Sequence, residues 1–142
     1  MKFFTRVKTK LTPDELKARK KDRLLLFLSG VLFGCSFSPF PVPFQLLLLF
    51  GLIPYLFVIE KKKSLLDINR STYLFAFTFS LITLYWVGSW QKNADPFLMI
   101  SGVLLAFVNP VFFLIPSTLY FYSRKVVSEK LAIYLLPLFW VT

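Results

Sequence analysis

Apolar and polar residues do not alternate along this chain; they come in blocks. Every Lys, Arg, Asp and Glu lies within residues 1–23, 60–70, 91–95 or 124–130, and the stretches between carry no charge. The first uncharged run, Leu24 to Ile59, would be about 54 Å long as one helix at about 1.5 Å per residue. A hydrocarbon core of about 30 Å is crossed by about 20 apolar residues, so one crossing cannot use it up. Pro39, Pro41 and Pro43 fall in the middle of this run, and each pushes the residue before it towards extended geometry. The pattern therefore predicts two short helices, about 24–37 and 44–59, joined by a proline hairpin turn. Further apolar runs predict helices over about 71–90 and 97–122, and the start of another at 131–142. The last run is too short for a span, so the chain is expected to stop inside a truncated fifth helix. The predicted fold is all-α: a polytopic membrane helix bundle of four complete transmembrane helices plus the start of a fifth. Residues 1–23 are expected to be a basic cytoplasmic segment and 24–142 the transmembrane domain.

The basic segment opens with local helix chemistry. Thr12 can cap, Pro13 suits the first helical position, and Glu15 completes a Thr-x-x-Glu capping box. The first helix is thus expected to begin before the apolar run, with Arg23 reaching the interface along its aliphatic stem.

Charge settles the orientation this pattern predicts. The formal net charge is +10, which invites a nucleic-acid reading, but nine of the 17 Lys and Arg residues precede Leu24. With the N-terminus inside, the inner connections hold all the basic residues except Lys92, and this asymmetry orients a multi-pass bacterial inner-membrane protein. The proline turn and the connection after Trp90 then face the periplasm. No nucleic-acid partner is expected. The chain has no histidine, which excludes histidine metal sites and Ser–His catalysis within it. No cofactor or metal is expected.

Four features carry candidate chemistry. "LFGC" at 32–35 imitates a lipoprotein signal, with Gly34 ahead of the single cysteine. Phe33 is bulky where such sites take small residues, and further hydrophobic segments follow, so Cys35 is expected to be an unmodified packing residue. Gly30 and Gly34 form a GxxxG pair, expected to pack helices closely within the chain. Tyr85, Trp86 and Trp90 cluster at the outer end of the third helix; they form an interfacial aromatic belt or a lipid-facing, substrate-access platform. "VNPVFFLIP" places Asn109, Pro110 and Pro116 in an apolar run. Both prolines withhold a helical partner, from the carbonyls of Ala106 and Phe112, and a kink with an interhelical hydrogen bond is expected.

The ordered segments resemble the N-terminal membrane portion of bacterial apolipoprotein N-acyltransferases. The basic start, a short helix with Gly and Cys, the "FSPF" turn, the helix ending "LYWVGSW", the aliphatic fourth helix and "LPLFWVT" carry the resemblance. It covers about residues 20–142. It implies an enzyme that moves an acyl chain from a membrane phospholipid to the α-amino group of the diacylglyceryl cysteine of an apolipoprotein. In such enzymes the chain passes through a thioester on a cysteine of a periplasmic nitrilase-like domain, with a Glu and a Lys. No residue here matches that triad, and Cys35 is not its cysteine, so the chain alone is expected to be inactive. From the residues alone two rivals stay open: a small non-enzymatic polytopic inner-membrane protein, and the membrane domain of a fused polyprenol-linked glycosyltransferase.

Overall fold

The first helix starts where its capping chemistry places it. In the computed structural model, which describes residues 12–37, 45–88, 95–127, 131–132 and 134–136, α1 runs Pro13–Cys35. Thr12 donates its backbone N–H to Glu15 Oε2 at 2.9 Å, and Glu15 returns its own N–H to Thr12 Oγ1 at 3.4 Å. The basic segment and the apolar segment thus form one continuous helix. Its buried residues are Leu26, Ser29, Gly30, Phe33 and Gly34, a stripe at helical spacing.

The second predicted helix is broken in two. α2 spans Leu47–Gly51 and α3 spans Ile53–Glu60. Pro54 is the reason: it has no N–H for the Phe50 carbonyl, and its ring crowds that carbonyl. The break is put to use, because Ser29 Oγ of α1 donates to the Gly51 carbonyl.

α4 spans Leu65–Thr83, beginning six residues before the expected start at 71. Asp67 and Arg70 made this region look like a loop, but both are exposed while Ile68 between them is fully buried. The segment is the amphipathic first turn and a half of the helix, and the polar connection shrinks to Lys61–Ser64. At its other end, α4 gives way to a 3-10 turn, Tyr85–Gly88.

α5, Pro96–Phe112, is capped by Asp95, whose Oδ1 accepts the Phe97 N–H at 2.9 Å. α6, Leu114–Val126, follows after Phe113. The break lies between Pro110, which α5 absorbs, and Pro116, which cannot bond the Phe112 carbonyl. Together they make the Pro96–Val126 helix, which is long and apolar enough to cross a membrane; among the described residues it is the one that passes this test. α4 carries Asp67 and Arg70, α1 is basic over its first half, and the α2–α3 pair is interrupted. Among the described residues every regular element is helical and there is no strand. The proline turn at Pro39, Pro41 and Pro43 and the end of the 131–142 segment lie outside the described residues.

α4 is the centre of the bundle and packs against α1, α3, α5 and α6. Its Phe75 stacks on Tyr55 of α3 with centroids 4.5 Å apart and meets Phe33 of α1 at 5.8 Å. Several buried polar groups are paired. Tyr55 Oη and Thr72 Oγ1 lie 3.0 Å apart. The Ser71, Thr72 and Thr78 hydroxyls each donate to the carbonyl one turn back. Ser117 of α6 donates to Asn69 Oδ1 at 2.9 Å.

Candidate functional site

Small residues on α5 open a crevice against α4. Gly102 and Ala106 are buried on α5, one turn apart, and their missing bulk leaves a cavity of about 240 Å³. Phe77, Ser80 and Leu84 of the α4 side wall it, and Tyr85 of the 3-10 turn stands at its edge. Small-molecule pockets run to about 300–1,000 Å³, so this is room for part of a chain rather than for a bulky ligand. Its floor is dry chemistry: the Ser80 hydroxyl is fully buried and accepts from Asn109 Nδ2 at 2.9 Å. The lower wall is pinned by Tyr73 Oη donating to the Phe107 carbonyl at 3.2 Å and by the Phe77–Phe107 ring pair at 5.2 Å. Among the described residues the groove is lined mainly by apolar side chains, a surface suited to hydrocarbon.

Of the aromatic trio, Tyr85 is 51% exposed at the crevice edge. Trp86 follows it on the 3-10 turn, and Trp90 lies outside the described residues. The Asn109–Ser80 bond is the interhelical hydrogen bond expected beside Pro110. The crevice itself was not found from the sequence. Its signal was the Gly102/Ala106 pair, small residues four apart in an aliphatic run, which places two gaps on one helix face.

Gly30 and Gly34 face α4, not solvent. A Cβ on Gly30 would stand 2.7 Å from Thr78 Cβ and 2.8 Å from the Phe75 carbonyl oxygen. On Gly34 it would stand 2.9 Å from Ile82 Cβ. Cys35 is a free, half-buried thiol in the last turn of α1. Among the described residues no group of three or more Cys, Asp or Glu side chains is placed to hold a metal ion.

Comparison with known proteins gives a consistent picture. The family model for the apolipoprotein N-acyltransferase N-terminal domain matches residues 29–142. An apolipoprotein N-acyltransferase of Chlorobaculum tepidum is 29% identical over 121 residues, covering 84% of this chain and 21% of the relative. The chain thus spans about a fifth of the length of that curated relative. No solved structure matches.

Proposed function

The chain belongs to the apolipoprotein N-acyltransferase N-terminal domain family, and from that premise we propose that it is the membrane-embedded part of a phospholipid:apolipoprotein N-acyltransferase. The observation that carries this reading is the family match over residues 29–142, which takes in the end of α1 and all of α2 to α6. The apolar crevice gives it a physical role. An acyl chain sliding in beside Tyr85 would lie between Phe77 and Gly102, held by dispersion and oriented by the closed floor at Ser80. Tyr85, with Trp86 and Trp90, would sit at the outer interface, where amphipathic rings favour the head-group level. The donor is a membrane phospholipid and the acceptor the N-terminal diacylglyceryl cysteine of an apolipoprotein.

The chemistry of transfer is not in these residues. A thioester route needs a thiolate lowered in pKa by a nearby base or cation. The single thiol, Cys35, is half-buried at the end of α1 and lies within the uncharged run Leu24 to Ile59. The purified chain is therefore expected to release no acyl chain to a diacylglyceryl peptide, and turnover by the chain alone would overturn this assignment. It should nonetheless bind lipid. A phospholipid carrying a photoreactive acyl chain should crosslink within 77–85 and 102–107. Ala106→Trp, which fills the crevice, should cut that labelling by about tenfold, as expected when a chain's contacts are replaced by overlap. Undiminished labelling in A106W would place the acyl chain elsewhere.

We further propose four complete crossings of the bacterial inner membrane, with the N-terminus cytoplasmic. The support is the charge asymmetry, since Lys and Arg concentrate on one side. Reporter fusions after Ser64 should read as cytoplasmic, and those after Val42 and Asn93 as periplasmic. The opposite pattern would invert the topology.

A further inference from the structure

The charged and apolar parts of two neighbouring helices change over at one level. On α1 the last charge is Arg23, directly before the uncharged run from Leu24; on α4 it is Arg70, directly before Ser71. At that level Arg19, Arg23, Arg70 and Lys62 surround a cavity of about 180 Å³ together with Asp67 and Ser71. The charges in it do not balance. Lys62 is already committed, in an ion pair with Asp22, both side chains being mostly buried. The Ser71 hydroxyl is donated to the Asp67 carbonyl at 2.8 Å. Among the described residues, none of the three arginines is within ion-pair distance of a carboxylate. Three guanidinium groups therefore face one small cavity with Asp67 as the single carboxylate lining it. Like charges so placed repel one another unless an anion lies between them.

The frame around the cavity is built. Arg124 Nη1 at the end of α6 donates to the Lys62 carbonyl at 2.7 Å, tying α6 to the α3–α4 connection. The Lys62–Asp22 pair ties the same connection to α1. Guanidinium forks match phosphate oxygens in pairs, which an ammonium does not do. We propose that this cavity binds the phosphate of an anionic glycerophospholipid, at the end of α4 opposite Tyr85. The acyl chains would descend along the exposed apolar surface of α1 beyond Leu24, whose side chain is 66% exposed. This inference rests on the membrane reading and not on acyl transfer. It names a second lipid contact, on the face where the topology places the cytoplasm, distinct from the crevice.

The test uses the full chain purified in a non-ionic detergent. Native mass spectrometry compares retained dioleoyl-phosphatidylglycerol with dioleoyl-phosphatidylcholine. The wild type should favour the anionic lipid by about thirtyfold, as two basic contacts at a lipid surface imply. Arg19→Gln/Arg23→Gln/Arg70→Gln should abolish the preference. Lys17→Gln/Lys20→Gln/Lys21→Gln, which removes the same charge from positions of α1 that do not line the cavity, should keep it. Equal loss in the lysine variant would reduce the effect to diffuse attraction and overturn the site, as would equal binding of the two lipids by the wild type. Arg70→Gln alone, checked for wild-type helicity by circular dichroism, should lower the preference severalfold; an unchanged preference would overturn the site as well. Inorganic phosphate supplies the remaining arm: thermal protection by phosphate equal to that by phosphatidylglycerol at the same concentration would make the ligand a free anion and overturn the lipid assignment.

Discussion

Gly30→Leu is expected to lower the melting temperature of the purified protein in detergent by roughly 10 °C, the effect of about 3 kcal/mol of overpacking on a chain of this size. The magnitude follows from which atoms are in the way. A Cβ at Gly30 would meet Thr78 Cβ at 2.7 Å and the Phe75 carbonyl oxygen at 2.8 Å. Neither can rotate aside, because one is the branch point of a β-branched residue and the other is backbone. α1 and α4 must separate, and separation undoes more than one contact. Phe33, one turn along on α1, would lose its approach to Phe75 and to Phe79, whose ring centroid lies 5.2 Å away. In lipid, helices attract each other through packing and hydrogen bonds and not through escape from water, so a gap filled by lipid is poorly repaid. Gly34→Leu should behave similarly, since Ile82 Cβ blocks it at 2.9 Å. Phe27→Leu, at an exposed position of α1, should stay within about 0.5 kcal/mol of the wild type. Because both glycines point inward, the variants should have the oligomeric state of the wild type in analytical ultracentrifugation. An unshifted melting temperature in G30L, or a change of mass without loss of stability, would mean that this GxxxG face packs against something other than α4.

What could be read from the sequence was local, and what could not was long-range. The capping box needs residues three apart, and Thr12 and Glu15 form it as their spacing predicts. The break at Phe113 follows from the chemistry of Pro116 in the same direct way. Pro54 carries the same signal, but the leucine-rich run around it reads as one helix. The start of α4 is hidden in the sequence for a different reason. Charge alone does not distinguish a loop from the exposed side of a helix, and the buried Ile68 between Asp67 and Arg70 decides in favour of helix. The crevice depends on Gly102 and Ala106 meeting Phe77 and Leu84, and the basic cavity on Arg23 meeting Arg70. Such pairings come from how helices pack, which the spacing of residues along one helix does not encode.

Val111→Arg should abolish stable insertion of the α5–α6 helix, while Leu98→Arg should reduce it only mildly. Val111 lies at the middle of Pro96–Val126 and is half-exposed on the outer surface of the bundle. Ile100, Leu104, Phe107, Val108 and Ile115 share the exposed surface of this helix. In water such a surface is a liability, and an arginine on it would be neutral within about 0.5 kcal/mol or would improve solubility. In a bilayer the same change costs about 3 kcal/mol at the helix centre, a shift of roughly 150-fold in the insertion equilibrium. The sign of the effect therefore separates the two environments. Position supplies a second check. An arginine near a helix end can extend its guanidinium to the head groups, so the cost should fall steeply towards Leu98 near the start of α5. A reporter fused after Val127 shows which side of the membrane the end of this helix reaches: cytoplasmic if it has crossed, periplasmic if it has not. Equal readings for V111R, L98R and the wild type would show that this helix does not cross the bilayer, and with it would go the four-span arrangement and the crevice as a route for lipid.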